Sequence, residues 1–152
     1  YSYLIRYRFA SGQQYVAQAR GALAGIADKV YLKDGHTDGV SSTLLFDCKV
    51  DELGCTALVQ SFGAPDYSYT DGYTTDQTNK QYTLSLEVML RNGKTLSYTF
   101  DISQMMRIQP RGGVIQVTDI VVSDEDGQEG AGAFDPDVDG WEDEIDIPLP
   151  LN

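Results

Sequence analysis

Histidine and cysteine, on which much metal-dependent and nucleophilic chemistry rests, are nearly missing from this 152-residue chain: it has one histidine, two cysteines and one tryptophan. His36 sits in Asp34-Gly-His-Thr-Asp38-Gly, a polar loop without a nucleophile elbow or a second ligand beside it, and reads as a surface residue. There is no Cys-x-x-Cys, no phosphate-cradling glycine loop and no His-based metal signature. Two cysteines cannot build a disulfide framework, and a chain of this size buries roughly two-thirds of its unfolded surface without one. No apolar run approaches the ~20 residues of a membrane-spanning helix. The chain opens at Tyr1 inside an alternating pattern rather than with Met and a leader, which reads as a fragment or processed form of a longer protein.

Positive charge is also missing from one region. No lysine or arginine follows Arg111, whereas twelve acidic residues lie between Asp119 and Asp146. The first 118 residues balance eleven acids against eleven bases, so the net charge of −12 belongs to the tail. Such a tail repels nucleic acid and an acidic bilayer face alike. It is not uniformly polar: Trp141, Ile145, Ile147 and Leu149 share one parity and Glu142, Glu144 and Asp146 the other, the period of a half-buried strand.

What is abundant is strand and turn material. Ten tyrosines and fifteen glycines, with many Thr and Ser and few segments of helical period, predict an all-β domain: a sandwich of about seven strands with at most one or two short helices. Residues 1–122 form its core, 123–140 an acidic glycine-rich loop, and 141–152 a last strand of the same domain. Tyr1, Tyr3, Ile5, Tyr7 and Phe9 alternate with polar residues in the first strand, and a second is expected from Gln14 to Arg20. Gly21 to Ala27 suits either a tightly packed bend or a short helix. A strand follows over Lys29 to Lys33, then a hairpin in which Thr43 to Val50 puts Leu44, Phe46, Cys48 and Val50 on one face and Cys55 to Phe62 returns. Residues 64–80 read as a long surface loop.

The next hairpin allows its register to be derived. A two-residue Asn-Gly turn would set the apolar residues of the two strands on opposite faces, whereas a three-residue loop, Arg91 to Gly93, pairs Val88 with Leu96 and Leu86 with Tyr98. A type I turn with Gly93 in the left-handed region follows. Asp101 and Gln104 have the spacing of a capping box, predicting helical turns over 102–109 before Pro110. Val114 to Val122 is a further strand, and Pro148 and Pro150 make the last strand an edge or an end.

Asp135, Asp137 and Asp139, followed by Gly140, carry the spacing of a calcium loop. Asp146 stands where a bidentate Glu belongs and the flanks read as loop and strand, so a solvated acidic linker competes with an ion site; no other cofactor is expected. Cys48 and Cys55 are bridged if the hairpin turn has two residues, and remain thiols on a diagonal if it has the four that Gly54 favours. Tyr67, Tyr69 and Tyr73 would form a stacking platform for a sugar or serve as ordinary loop packing. No catalytic constellation assembles from these residues, and the chain is not read as an enzyme.

Five segments taken in order, Tyr15-Val-Ala-Gln-Ala-Arg20-Gly-Ala-Leu-Ala-Gly25, Leu45-Phe-Asp-Cys48, Ser61-Phe-Gly63, Leu90-Arg-Asn-Gly93-Lys-Thr-Leu-Ser-Tyr98-Thr-Phe-Asp101 and Val138-Asp-Gly-Trp141-Glu-Asp-Glu-Ile-Asp-Ile147, resemble the FimB-type fimbrial anchor and minor-subunit (fimbrillin-associated) proteins of Bacteroidales. The likeness is to their second, transthyretin-like or immunoglobulin-like β-sandwich domain. It implies an exported lipoprotein of a Gram-negative outer membrane surface, touching the membrane only through a lipid anchor outside this chain. The implied role is adhesion and fimbrial assembly as anchor, minor or tip subunit, with fimbrial subunits or other surface proteins as partners and the domain itself a monomer. Subunits of that kind join by donating an edge strand. Trp141, Ile145, Ile147 and Leu149 are the strand-donation candidates, with burial in their own domain as the alternative. A carbohydrate-binding β-sandwich of a surface glycan-uptake system is the competing function.

Overall fold

The computed structural model describes residues 1–27, 33, 41–61, 63–64 and 80–128. In chain order these form β1 (Ser2–Ser11), a 3-10 turn at Gln13–Tyr15, β2 (Val16–Ala27), β3 (Ser41–Val50), β4 (Gly54–Gln60), β5 (Thr83–Leu90), β6 (Thr95–Asp101), α1 (Ser103–Ile108), β7 (Gly113–Val121) and α2 (Asp124–Gly127). The strands follow one another across the sheet as β6-β5-β2-β3-β4-β1-β7. Neighbours are antiparallel except β1 and β7, which run parallel. The order folds over into two layers, β4-β1-β7 facing β3-β2-β5-β6, so the expected all-β sandwich forms, with seven strands and two short helices among the described residues.

Alternation of side chains builds the core between the layers. Tyr3, Ile5, Tyr7, Cys55, Val59, Ile115 and Val117 point in from one layer, and Leu23, Leu84, Leu86, Val88 and Leu90 from the other. Tyr7 crosses the core: its ring lies 6.3 Å from that of Phe100, and its hydroxyl donates to the Ser85 carbonyl at 2.7 Å. Burial pushes its pKa well above 10, with the nearby Cys48 and Cys55 adding to the effect.

The β5–β6 hairpin has the derived register, Val88 opposite Leu96 and Leu86 opposite Tyr98. Leu90 N–H donates to Lys94 O and Gly93 N–H to Leu90 O, and Gly93 takes φ +90°, the left-handed residue of a three-residue loop.

Gly21 to Ala27 is neither a bend nor a helix. It continues β2 without a break, pairing with β3 on one side and β5 on the other, with a bulge between Ala24 and Ile26. The small residues are there for inter-layer contact: a Cβ on Gly21 would come within 2.5 Å of both the Phe46 ring and the Tyr7 hydroxyl. The capping box does not form either. Asp101 Oδ1 instead accepts from the Ser103 N–H at 3.0 Å and its hydroxyl at 2.6 Å, holding the carboxyl below its usual pKa through the Ser103 contacts. Ser103 Oγ in turn accepts from Tyr82 N–H at 3.0 Å, while Ile102 and Met106 plug that end of the core.

The two glycines predict different costs. Gly21→Ala overpacks the core and is expected to destabilise by about 2 kcal/mol. Gly93→Ala, with nothing within 4 Å of its Cβ, costs only the backbone term, about 1 kcal/mol. Urea denaturation of both variants against the parent checks the order.

Candidate strand-docking edges

β3 and β4 make a hairpin that parts almost at once. Asp51 shapes the turn, its Oδ1 accepting from Leu53 N–H at 2.8 Å and Gly54 N–H at 3.0 Å. Lys49 then pairs with Thr56 and Val50 with Cys55, and the ladder stops. Upstream, β3 runs beside β2 from Ser41 to Cys48. Downstream, β4 runs beside β1 to Gln60. The cause lies in the side chains: Leu44, Phe46 and Cys48 pack into the core from one layer, and Cys55, Ala57 and Val59 from the other. Among the described residues no strand fills the gap, so the facing edges of β3 and β4 form a fork.

A cavity of about 340 Å³ occupies the mouth of this fork, lined by Tyr1, Ile26, Ser42, Thr43, Leu44 and Gln60 among others. Its volume lies at the small end for ligand pockets. Of its lining, Ile26, Ala27 and Ser61 are buried while Tyr1 and Gln60 are exposed. Ser61 N–H donates to Tyr1 O at 2.8 Å and Gln60 Nε2 to Ser2 Oγ at 2.9 Å, so β4 is held to β1 through its last residue. The Arg111 guanidinium, 4.3 Å above the Tyr1 ring, holds that wall in place.

At the opposite margin of the sandwich, where β6 and β7 are the terminal strands, the layers are clasped. The Tyr98 hydroxyl donates to Val121 O at 2.9 Å. Beyond β7, the start of the acidic stretch is tied down as well. Asn92 Nδ2 donates to Asp126 O at 2.7 Å and Gln128 O at 2.8 Å, and the Tyr15 hydroxyl donates to Asp124 Oδ1 at 2.8 Å. The hairpin tip whose register was legible thus also anchors the chain where the tail begins.

Cys48 and Cys55 are free thiols. The turn has four residues, and with Lys49 level with Thr56 and Val50 with Cys55, Cys48 comes level with Ala57. The bridged alternative is therefore not formed: the sulfurs lie on a diagonal that strains a disulfide. Burial raises Cys55 to about 12, with Asp51 adding to it, and pushes Cys48 up further, helped by Cys55 and Asp47. Neither thiol is a nucleophile at neutral pH.

Trp141, Ile145, Ile147 and Leu149, the calcium candidates Asp135, Asp137 and Asp139, the tyrosines Tyr67, Tyr69 and Tyr73, and His36 all lie outside the described residues. Among the described residues no group of three or more His, Cys, Asp or Glu side chains could hold a metal, and no helix is long and apolar enough to cross a membrane. Sequence reading missed one buried site. Arg20 and Glu87 stand opposite each other on the face of β2 and β5 turned away from the core. Arg20 Nη2 and Nε donate to Glu87 Oε1 at 2.8 and 3.1 Å with both side chains buried. One charge of each sign, alone in two otherwise neutral strands, was the available signal.

No protein-family model matches the chain, and no curated protein matches it. Among solved structures it is similar to one described as "a putative adhesin from Bacteroides ovatus ATCC 8483", with 19% identity and a TM-score of 0.48 over 86% of this chain. The match covers 47% of that protein, so this chain spans about half its length.

The thiols generate a test. At pH 8 neither cysteine of the native protein is expected to react with iodoacetamide, whereas both react in urea. An unfolded Cys55 thiol ionises near 9 and the folded one near 12, so its contribution to stability is intact below pH 9 and lost as pH rises towards 12. Cys55→Ala should flatten that alkaline decline in a denaturation series, leaving the parts due to Cys48, Tyr3 and Tyr7, whose pKa values are also raised by burial.

Proposed function

We propose that this domain is a cell-surface adhesin-like module that joins other proteins through β-strand contacts, serving fimbrial assembly as an anchor, minor or tip subunit. The observation that carries the proposal is the fork: two strand edges that leave each other after two rungs, with a cavity of mixed polar and apolar lining at the mouth. An incoming extended segment would gain backbone hydrogen bonds along an edge of β3 or β4 and seat alternate side chains in the cavity, the logic of β-augmentation. Each backbone bond contributes about 0.5–1.5 kcal/mol net, so recognition grows with the length of strand admitted and the cavity selects which side chain leads. The resemblance of the sequence to fimbrial anchor and minor subunits supplies the partner class, other fimbrial subunits or surface proteins, and the location, the outer membrane surface of a Gram-negative bacterium. On this reading the domain is not an enzyme: its chemistry is that of contact.

The test uses the full-length parent, affinity-tagged in its native host, with sheared surface fimbriae analysed by mass spectrometry. Fimbrial subunits are expected to co-purify with the parent and to fall at least tenfold in a Ser42→Trp variant that fills the fork mouth and keeps its melting temperature. Recovery of the parent free of fimbrial subunits would overturn the assembly role. Equal enrichment from parent and variant would overturn the fork as the docking edge.

A further inference from the structure

The outer edge of β7 carries a plug. Gln109, immediately after α1, lays its carboxamide along that edge: Val114 N–H donates to Gln109 Oε1 at 2.7 Å, and Gln109 Nε2 donates to Val114 O at 2.7 Å. These are the two bonds a neighbouring strand would make with Val114. Since β7 pairs in parallel with β1 through Gly113–Val117, and a strand residue points its N–H and C=O the same way, Val114 faces away from β1. By alternation Gln116 and Thr118 do so too.

The plug is held firmly. Gln109 O accepts the Tyr3 hydroxyl at 2.7 Å, and Gln109 N–H donates to Met105 O and Met106 O at 3.1 and 3.2 Å. Gly113 leaves room for it, because a Cβ there would collide with the Gln109 carboxamide. At the far end, Asp119 takes φ +65° and Tyr98 clasps Val121 O. Between plug and clasp, the outward backbone groups of Gln116 and Thr118 meet no partner among the described residues.

The surroundings say what the plug keeps off. Gly113 to Thr118 carries no charged side chain in a chain of net charge −12. Val114, 44% exposed, completes a cross-strand row with Leu4 and the 69% exposed Leu58, and Ile108, 76% exposed, directly precedes Gln109. An uncharged edge flanked by an apolar row is where two copies of an anionic protein can meet without like charges opposed.

We propose that Gln109 is an intramolecular strand mimic and that the edge it closes is a latent interface for a second copy of this chain. Two β7 strands pair antiparallel about a two-fold axis at Gln116, setting Val114 against Thr118 of the second copy and the reverse, an isologous contact. With both plugs in place each outer rung is blocked and only the central one remains. With the plugs removed all three form, and each apolar row then abuts Thr118 of the second copy.

Sedimentation velocity of the chain from about 10 to 500 μM in 150 mM salt, where charge on the tail is screened beyond ~8 Å, tests this. The parent is expected to stay monomeric. Gln109→Ala should dimerise with at least a hundredfold gain in association. Gln109→Asn, one methylene too short to reach Val114, should dimerise as well and serves if the alanine variant fails to fold. Adding Gln116→Pro, which removes the central outward N–H, should restore the monomer. A folded Gln109 variant that stays monomeric at 500 μM, or a dimer unaffected by Gln116→Pro, would overturn the proposal.

Discussion

Two backbone rungs, Lys49–Thr56 and Val50–Cys55, are the only ladder contacts between the two layers among the described residues. The rest of the fold is arranged around that corner. A hairpin kept paired along its length would place β3 and β4 side by side in one layer. Parting after two residues lets each strand pair fully with a different neighbour and turn its apolar face towards the other. The corner thus converts a seven-strand order into a sandwich, and the edges that no described strand covers follow from it, since strands that part no longer satisfy each other's backbone groups.

The layers are then held face to face by shape and by one long side chain. Tyr7 reaches through the core to the carbonyl of Ser85 on the opposite layer, and Gly21 withholds the atom that would block it. That contact removes a buried hydroxyl from the count of unsatisfied groups and sets the layer spacing at the same point. The Arg20–Glu87 pair on the far face is a different kind of constraint. Removing either partner takes from a buried charge the opposite charge it is hydrogen-bonded to, the costly way to break such a pair.

The margins of the sandwich are not equivalent. On the β3–β4 side the layers diverge around a cavity with strand edges exposed to it. On the β6–β7 side they are clasped through Tyr98, and the Val114 position on the edge of β7 is filled by an amide from its own chain. A protein that works through strand contacts has to separate the edge it offers from the edges it must keep to itself, because backbone hydrogen bonds carry no sequence information. A side-chain amide suits the second task, since it presents the donor and acceptor of a peptide group without the chain that would propagate a ladder.

Side-chain parity along each strand was legible in the residues themselves, because alternation of Tyr3, Ile5 and Tyr7 with Leu4 and Arg6 depends only on the two-residue period of an extended chain. The β5–β6 register was legible too, as one loop length alone put both apolar sets on the same face. The diagonal of Cys48 and Cys55 could be stated only as an alternative, since it hung on the length of a turn. Gly21 to Ala27 misled because small residues look alike in a bend, a helix and a close-packed strand, and what distinguishes them is a neighbour such as Phe46, twenty-five residues away. The fork and the Gln109 plug were invisible for the same reason, while the Arg20–Glu87 pair left only the signal of a single charge in each of two neutral strands. The sequence by itself determined an all-β class, the inward faces and one hairpin register, all consequences of local geometry. Which strands part, which edge stays open and which is plugged were decided by the tertiary structure, because an unfilled backbone group is defined by what comes to lie beside it.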